Sequence, residues 1–189
     1  MVKKLGGIIV VDVEATCWEG DKPPGQENEI IEIGICTLSI TSGERLTKET
    51  ILVKPERSTV SEFCTQLTTL TQEQVERGID FPNACSILKN KYLSKDRVWA
   101  SYGDYDRRQF ERQCQSRQIS YPFGARHINV KTLFALIYAL PNEVGMAEAL
   151  EIMNLPLEGV HHRGVDDAWN IAGILSELLL RSRNITKRD

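Results

Sequence analysis

Gly7-Ile8-Ile9-Val10-Val11-Asp12-Val13-Glu14 decides the fold. The run is β-branched and continuously apolar up to Asp12, the pattern of a strand buried on both faces. Asp12 and Glu14 are two apart, so the period of a strand puts both carboxylates on one face. Two like charges side by side in an apolar strand are costly unless something neutralises them. A divalent cation is the economical answer, and hard carboxylate oxygens suit magnesium or manganese. The alternative is that the strand ends at Asp12 and both groups are solvated.

Outward from this strand, residues 19–28 are polar and rich in Gly and Pro, and read as a loop. Ile30–Ile40 is a second apolar run and Glu44–Val53 alternates like a third strand, with Gly43 turning between them. The three segments suit an antiparallel meander. Residues 55–78 read as loop with short helical pieces, and Thr71 with Gln74 has capping-box form. Helices are expected over Asn83–Leu93, Asp104–Arg117, Val130–Leu140, Gly145–Met153 and Val165–Arg183. Short strands are expected at Arg97–Tyr102 and His127–Asn129. This order argues for an α/β sandwich with a mixed sheet.

The chain has 189 residues, 41% apolar and 26% charged. That suits one domain with a substantial core: a domain over residues 1–183 and a frayed tail over 184–189. No apolar run approaches a membrane span. The N-terminal run after Lys3 and Lys4 is too short for a signal peptide, so a cytoplasmic protein with no membrane partner is expected. Cys17, Cys36, Cys64, Cys85 and Cys114 are odd in number and lack metal-ligand spacing, which reads as reduced, mostly buried thiols. Net charge is −3 and the pI about 5.7. A protein that grips nucleic acid by bulk charge is usually basic. Either nucleic acid is not the partner, or contact with it is local and brief, at a site whose acidity bound cations offset.

Two further acidic sites follow. Gly103-Asp104-Tyr105-Asp106 comes after the strand ending at Tyr102, and His161-His162-Arg163-Gly164-Val165-Asp166-Asp167 opens the long helix. Each alone is as well explained by helix capping. Three acidic sites at strand ends and helix starts together suggest a metal cluster.

Val11-Asp12-Val13-Glu14-Ala15-Thr16-Cys17 resembles the first motif of the DEDDh exonucleases. Gly103 to Asp106 resembles the second, and His162 with Asp167 the third. Ser61-Glu62-Phe63-Cys64, Leu67-Thr68 and Leu70-Thr71-Gln72 resemble the branch whose animal members trim histone messenger RNA ends and small interfering RNAs. Relatives tend to carry Gly where this chain has Thr69. The resemblance covers about Ile8 to Leu179. It implies an RNase H-like fold, with a five-stranded mixed sheet flanked by helices. It implies a 3′-to-5′ exonuclease releasing nucleoside 5′-monophosphates, with two Mg²⁺ ions (or Mn²⁺) held by Asp12, Glu14, Asp106 and Asp167. His162 is the implied general base. The implied partner is nucleic acid with a free 3′ end, RNA favoured over DNA. Ala15 and Thr16 are expected to contact the terminal nucleotide, and Trp18 either stacks on a base or packs the loop. Arg107, Arg108, Arg163 and Lys54 are weaker candidates for phosphate contact. The competing reading is a nucleic-acid-binding module or adaptor on the same fold.

The acidic doublets leave a choice within each pair. The family's spacing picks Asp106 and Asp167, and helix phase agrees. Asp167 shares a stripe with Ile171, Ile174 and Leu178, and Asp106 with Phe110 and Cys114. Asp166 falls with Asn170, Gly173 and Glu177 on a more polar line. Asp104 sits where a capping role is natural.

Overall fold

The computed structural model describes residues 6–185. Met1–Leu5 and the last four residues of the expected tail lie outside the described residues. Five strands form one sheet in the order β3-β2-β1-β4-β5. These are β1 (Gly7–Ala15), β2 (Ile30–Ser39), β3 (Arg45–Leu52), β4 (Val98–Ser101) and β5 (His127–Asn129). β1 pairs antiparallel with β2 and parallel with β4, so the sheet is mixed and β1 is central. That position explains its continuous apolar run. Ile8 and Val10 pack toward one helical layer, and Ile9, Val11 and Val13 toward the other.

The first layer holds α5 (Val130–Ile137), α6 (Met146–Met153) and α7 (Gly164–Ile185). The second holds α3 (Phe81–Asn90) and α4 (Tyr105–Arg117). Between β3 and α3 come α1 (Glu62–Thr68) and α2 (Gln72–Glu76). The Thr71–Gln74 capping box opens α2 as expected. α3 starts two residues before the expected position, because the Asp80 carboxylate accepts the Asn83 N–H at 2.7 Å and sets the cap there. α5 stops three residues short of Leu140, where Ala139 turns left-handed at φ 51°. α7 continues to Ile185, two residues past the expected domain boundary. Asp104 does not cap α4 through its side chain. Its backbone is already helical (φ −103°, ψ −3°), which turns the carboxylate away from the first-turn amides. It pairs instead with Arg107 and Arg108.

One close approach sets where α7 begins. A Cβ on Gly34 in β2 would lie 1.8 Å from the Gly164 carbonyl oxygen. Only glycine at 34 lets the first turn of α7 rest on the sheet. Thr69 ends α1 in the left-handed region at φ 62°. That conformation is costly for a β-branched residue and free of cost for a glycine. The chain keeps it, with the Thr69 N–H donating to the Thr65 carbonyl at 2.8 Å.

Candidate active site

The sheet places four carboxylates at one point. Asp12 and Glu14 continue the Ile8–Val10 line, so both leave β1 on the face that α7 covers. The first turn of α7 brings Asp167 to that spot, and one carboxylate oxygen each of Asp12, Glu14 and Asp167 lie within 4.8 Å of one another. The first turn of α4 delivers Asp106 from the opposite layer, where its Oδ1 accepts the Val13 N–H at 2.9 Å. Ile171, Ile174 and Leu178 are buried in line with Asp167, as are Phe110 and Cys114 with Asp106. The helix phases read from sequence therefore hold for both inward stripes. They do not hold for the opposite line of α7. Asn170, expected among polar surface positions, is only 1% exposed. It accepts the Glu158 N–H and donates to the Glu158 carbonyl, both at 3.0 Å, pinning the loop before α7. Asp166 accepts the Val160 N–H at 2.9 Å and pairs with Lys48 at 2.6 Å.

The electrostatics follow from this crowding. Burial first, and then the charges of Asp106, Glu14 and Asp167, push the Asp12 carboxyl well above its ordinary range. Burial and the neighbouring Asp167 raise Glu14 to about 9. Burial raises Asp106 to about 7 against the opposing Val13 N–H. Burial also raises Asp167, while hydrogen bonding to His161 pulls it back. Four acids pushed upward together by burial and one another's charge form a set that favours bound cations. Hard oxygen donors in this number fit divalent ions of the magnesium type.

His161 and His162 stack at 4.0 Å between ring centroids. His161 Nδ1 lies 3.0 Å from an Asp167 oxygen, whereas His162 meets Asp167 through its backbone N–H, also at 3.0 Å. The His162 ring is left without that carboxylate partner. Burial, then the adjacent His161, lowers its pKa, which favours the neutral imidazole that can accept a proton.

Asp12, Glu14, Ala15, Asp106, His162 and Asp167 line one cavity of about 310 Å³. Its apolar wall includes Leu67, Tyr102, Tyr105 and Met146. Sequence reasoning did not single these out. Tyr102 precedes the second acidic motif, Tyr105 lies inside it, and Leu67 lies inside the segment that carried the branch resemblance, so a signal existed for three of them. Nothing in the local sequence marks Met146. Thr16 and Trp18 do not line the cavity. The Thr16 hydroxyl is buried and spent within the fold, donating to the Glu27 carbonyl and accepting the Glu29 N–H, each at 2.9 Å. Trp18 is half-buried in the loop beyond. Arg163 and Arg107 are engaged with Glu32 and with Asp104 and Glu111.

A sequence profile described as exonuclease matches residues 9–175. The chain belongs to the exonuclease family. It is 33% identical over 182 residues to human 3′-5′ exoribonuclease 1, covering 91% of this chain and 52% of that protein. It is 25% identical to the Drosophila melanogaster 3′-5′ exonuclease Snipper, covering 91% of this chain and 69% of that one. Thus it spans about half the length of the human relative. The nuclease domain of 3′hExo, a DEDDh family member bound to rAMP, superposes with a TM-score of 0.81 at 29% identity, covering 93% of this chain and 92% of that chain. A 3′-exonuclease solved for recognition of the histone mRNA stem-loop gives 0.82 at 31%, covering 93% and 64%. The RNase H-like sheet of this exonuclease-family chain is thereby shared with DEDDh enzymes, which depend on divalent metal. Among the described residues no helix is long and apolar enough to cross a membrane.

Proposed function

We propose that the chain is a 3′-to-5′ exonuclease that removes nucleotides one at a time from RNA and releases nucleoside 5′-monophosphates. The observation that carries this reading is the convergence of four carboxylates beside a histidine in an apolar-walled cavity. Asp12, Glu14, Asp106 and Asp167 would hold two divalent ions, Mg²⁺ with Mn²⁺ as substitute. Such ions supply an acidified water and stabilise charge on the attacking and leaving oxygens of an in-line displacement.

The protein's own groups do the rest. His162 accepts the proton of the attacking water, since its lowered pKa leaves the ring unprotonated at neutral pH. Asp106 is braced by the Val13 N–H, which fixes α4 to the end of β1. Leu67, Tyr102, Tyr105 and Met146 offer apolar surface to the terminal base. Glu14 and Ala15, at the end of β1, border the position of the free 3′ hydroxyl. RNA is favoured over DNA because the human relative is named an exoribonuclease. The five thiols, four of them buried and all free, suit a reducing compartment such as the cytoplasm.

The test is digestion of matched RNA and single-stranded DNA labelled at the 5′ end. The expected result is a ladder shortening from the 3′ end, faster on RNA, absent in excess chelator and restored by magnesium or manganese. A 3′-phosphate should block it. Equal cutting of circular strands, or cleavage indifferent to chelator, overturns the reading.

A further inference from the structure

Glu32 is a buried carboxylate whose pair with the partly exposed Arg163 is left unused by the proposed chemistry. Glu32 sits in β2 with no exposed surface, directly across from Glu14. Neither Glu32 nor Arg163 lines the cavity. Four donors converge on the one carboxylate. Arg163 Nε donates to Oε2 at 3.2 Å and Arg163 Nη2 to Oε1 at 3.0 Å. The Gly164 N–H donates to Oε2 at 2.9 Å and the Thr50 hydroxyl to Oε1 at 2.8 Å. The carboxylate thus ties β2 and β3 to two successive residues at the start of α7. Arg163 is itself the residue that opens the helix, its carbonyl accepting the N–H groups of Asp166 and Asp167 at 2.9 and 2.8 Å.

The residue immediately before this anchor is His162, whose φ is 65°. A left-handed backbone costs a residue with a Cβ about 1–2 kcal/mol and persists only where the surroundings over-determine it. On the far side of His162 its N–H is held by Asp167. On the near side the restraint is the Glu32 carboxylate, acting through Arg163 and Gly164. The contact has no slack, because Gly34 and Gly164 already meet with no room for a Cβ between them.

We propose that Glu32 is a positioning residue: through Arg163 and Gly164 it locks His162 in the left-handed conformation that presents the imidazole to the cavity. The proposal rests on the exonuclease reading for His162 as the base. Glu32→Gln is the sharp probe. It keeps the shape, but three of the carboxylate's four partners are N–H donors, so the new amide NH₂ can donate only to the Thr50 hydroxyl and in either orientation faces an N–H of Arg163 or Gly164.

The test is a double-mutant cycle at saturating magnesium on 5′-labelled RNA, with His162→Ala as the second substitution. Glu32→Gln alone should lower kcat by about 10–10²-fold, the scale of a small misplacement of a reacting group, with KM little changed. In the His162→Ala background the same substitution should change kcat by less than about twofold, because the group it positions is gone. An equal loss in both backgrounds overturns the proposal, since a merely structural role acts regardless of His162. NMR of the metal-free protein gives a second readout: the His162 Cα and Cβ shifts should leave their left-handed values in Glu32→Gln, and unmoved shifts also overturn the proposal. If Glu32→Gln fails to fold, Arg163→Met enters the same cycle with the same criteria. Wild-type protein inert toward RNA sinks the exonuclease reading instead, and the NMR comparison then still decides the role of Glu32.

Discussion

Glu29 and the pair Asp12–Glu14 are acids carried into the same fold and treated in opposite ways. Glu29 is only 1% exposed at the start of β2. Its oxygens accept the Glu56 and Arg57 N–H groups at 3.0 and 2.8 Å, and Arg117 closes the site with an ion pair. At the end of β1 the charges facing Asp12 are Asp106, Glu14, Asp167 and Glu32, all acidic. The fold has arginines and free amides to spend on a buried carboxylate, and spends them on Glu29 and Glu32. The four clustered acids have backbone N–H bonds at Asp106 and Asp167 but pair with no arginine or lysine among the described residues, so the missing positive charge must come from outside the chain. The difference separates carboxylates that hold the structure from those that hold a ligand.

The comparison breaks first at the cluster itself. Asp106→Asn and Asp167→Asn should each cut turnover by about 10³-fold or more, since several kcal/mol of transition-state stabilisation are lost at about tenfold per 1.4 kcal/mol. Circular dichroism should show the fold intact. Asp104→Asn and Asp166→Asn should stay within a few-fold of wild type, because their partners are half-exposed lysine and arginine side chains worth little. If either proves the dead member of its pair, the assignment of the inward carboxylate is wrong there.

The next effect separates the two histidines. His162→Ala should lose about 10²–10⁴-fold in rate, with magnesium affinity by calorimetry unchanged. His161→Ala should lose less, since its ring is already engaged by Asp167 and stacked on its neighbour. A larger loss at His161 would transfer the role of base to it.

At Glu29 the expected effect is on stability and not on chemistry. Arg117→Met strands a buried carboxylate and should cost about 3–5 kcal/mol in denaturant unfolding. Turnover per folded molecule should match wild type. A fall in kcat of the folded fraction would mean that the structural and ligand-holding acids are coupled.

The smallest effect is a pH dependence with an unusual sign. Glu14, Asp106, Asp12 and Asp167 all titrate higher in the folded chain than in the unfolded one. The native state therefore binds more protons, and metal-free stability should fall as pH rises from about 4 toward 9. Asp166 and Glu158 are shifted the other way, so their contribution is lost only on acidification below the ordinary carboxylate range. Melting temperatures of chelated protein at pH 5.5 and 8 test this. Magnesium should raise the value more at pH 8, where the ligands are ionised. A metal-free chain more stable at pH 8 than at 5.5 would contradict the picture of an uncompensated cluster.

Much of this was legible in the sequence because it depends on period alone. Continuous burial of Ile8 to Val11 identified a central strand. A spacing of two put Asp12 and Glu14 together, and steps of four, seven and eleven turned Asp167 inward with Ile171, Ile174 and Leu178. Five free thiols followed from their number and spacing. Partners across the chain were not legible in this way. Nothing local to Thr16 says that its hydroxyl is consumed by Glu27 and Glu29, or that Asn170 turns in to hold Glu158. Arg163 reads as a free cation until β2 brings Glu32 to it, 131 residues away in sequence.

By itself, then, the sequence determined which faces the helices and strands bury and which acids share a face, since covalent geometry repeats the same angle at every residue. Only the tertiary structure decided which of those acids are answered. Whether a buried charge meets an arginine, an amide or another acid depends on contacts between residues far apart in the chain. Here those contacts answer Glu29 and Glu32 and leave Asp12, Glu14, Asp106 and Asp167 crowded around one point.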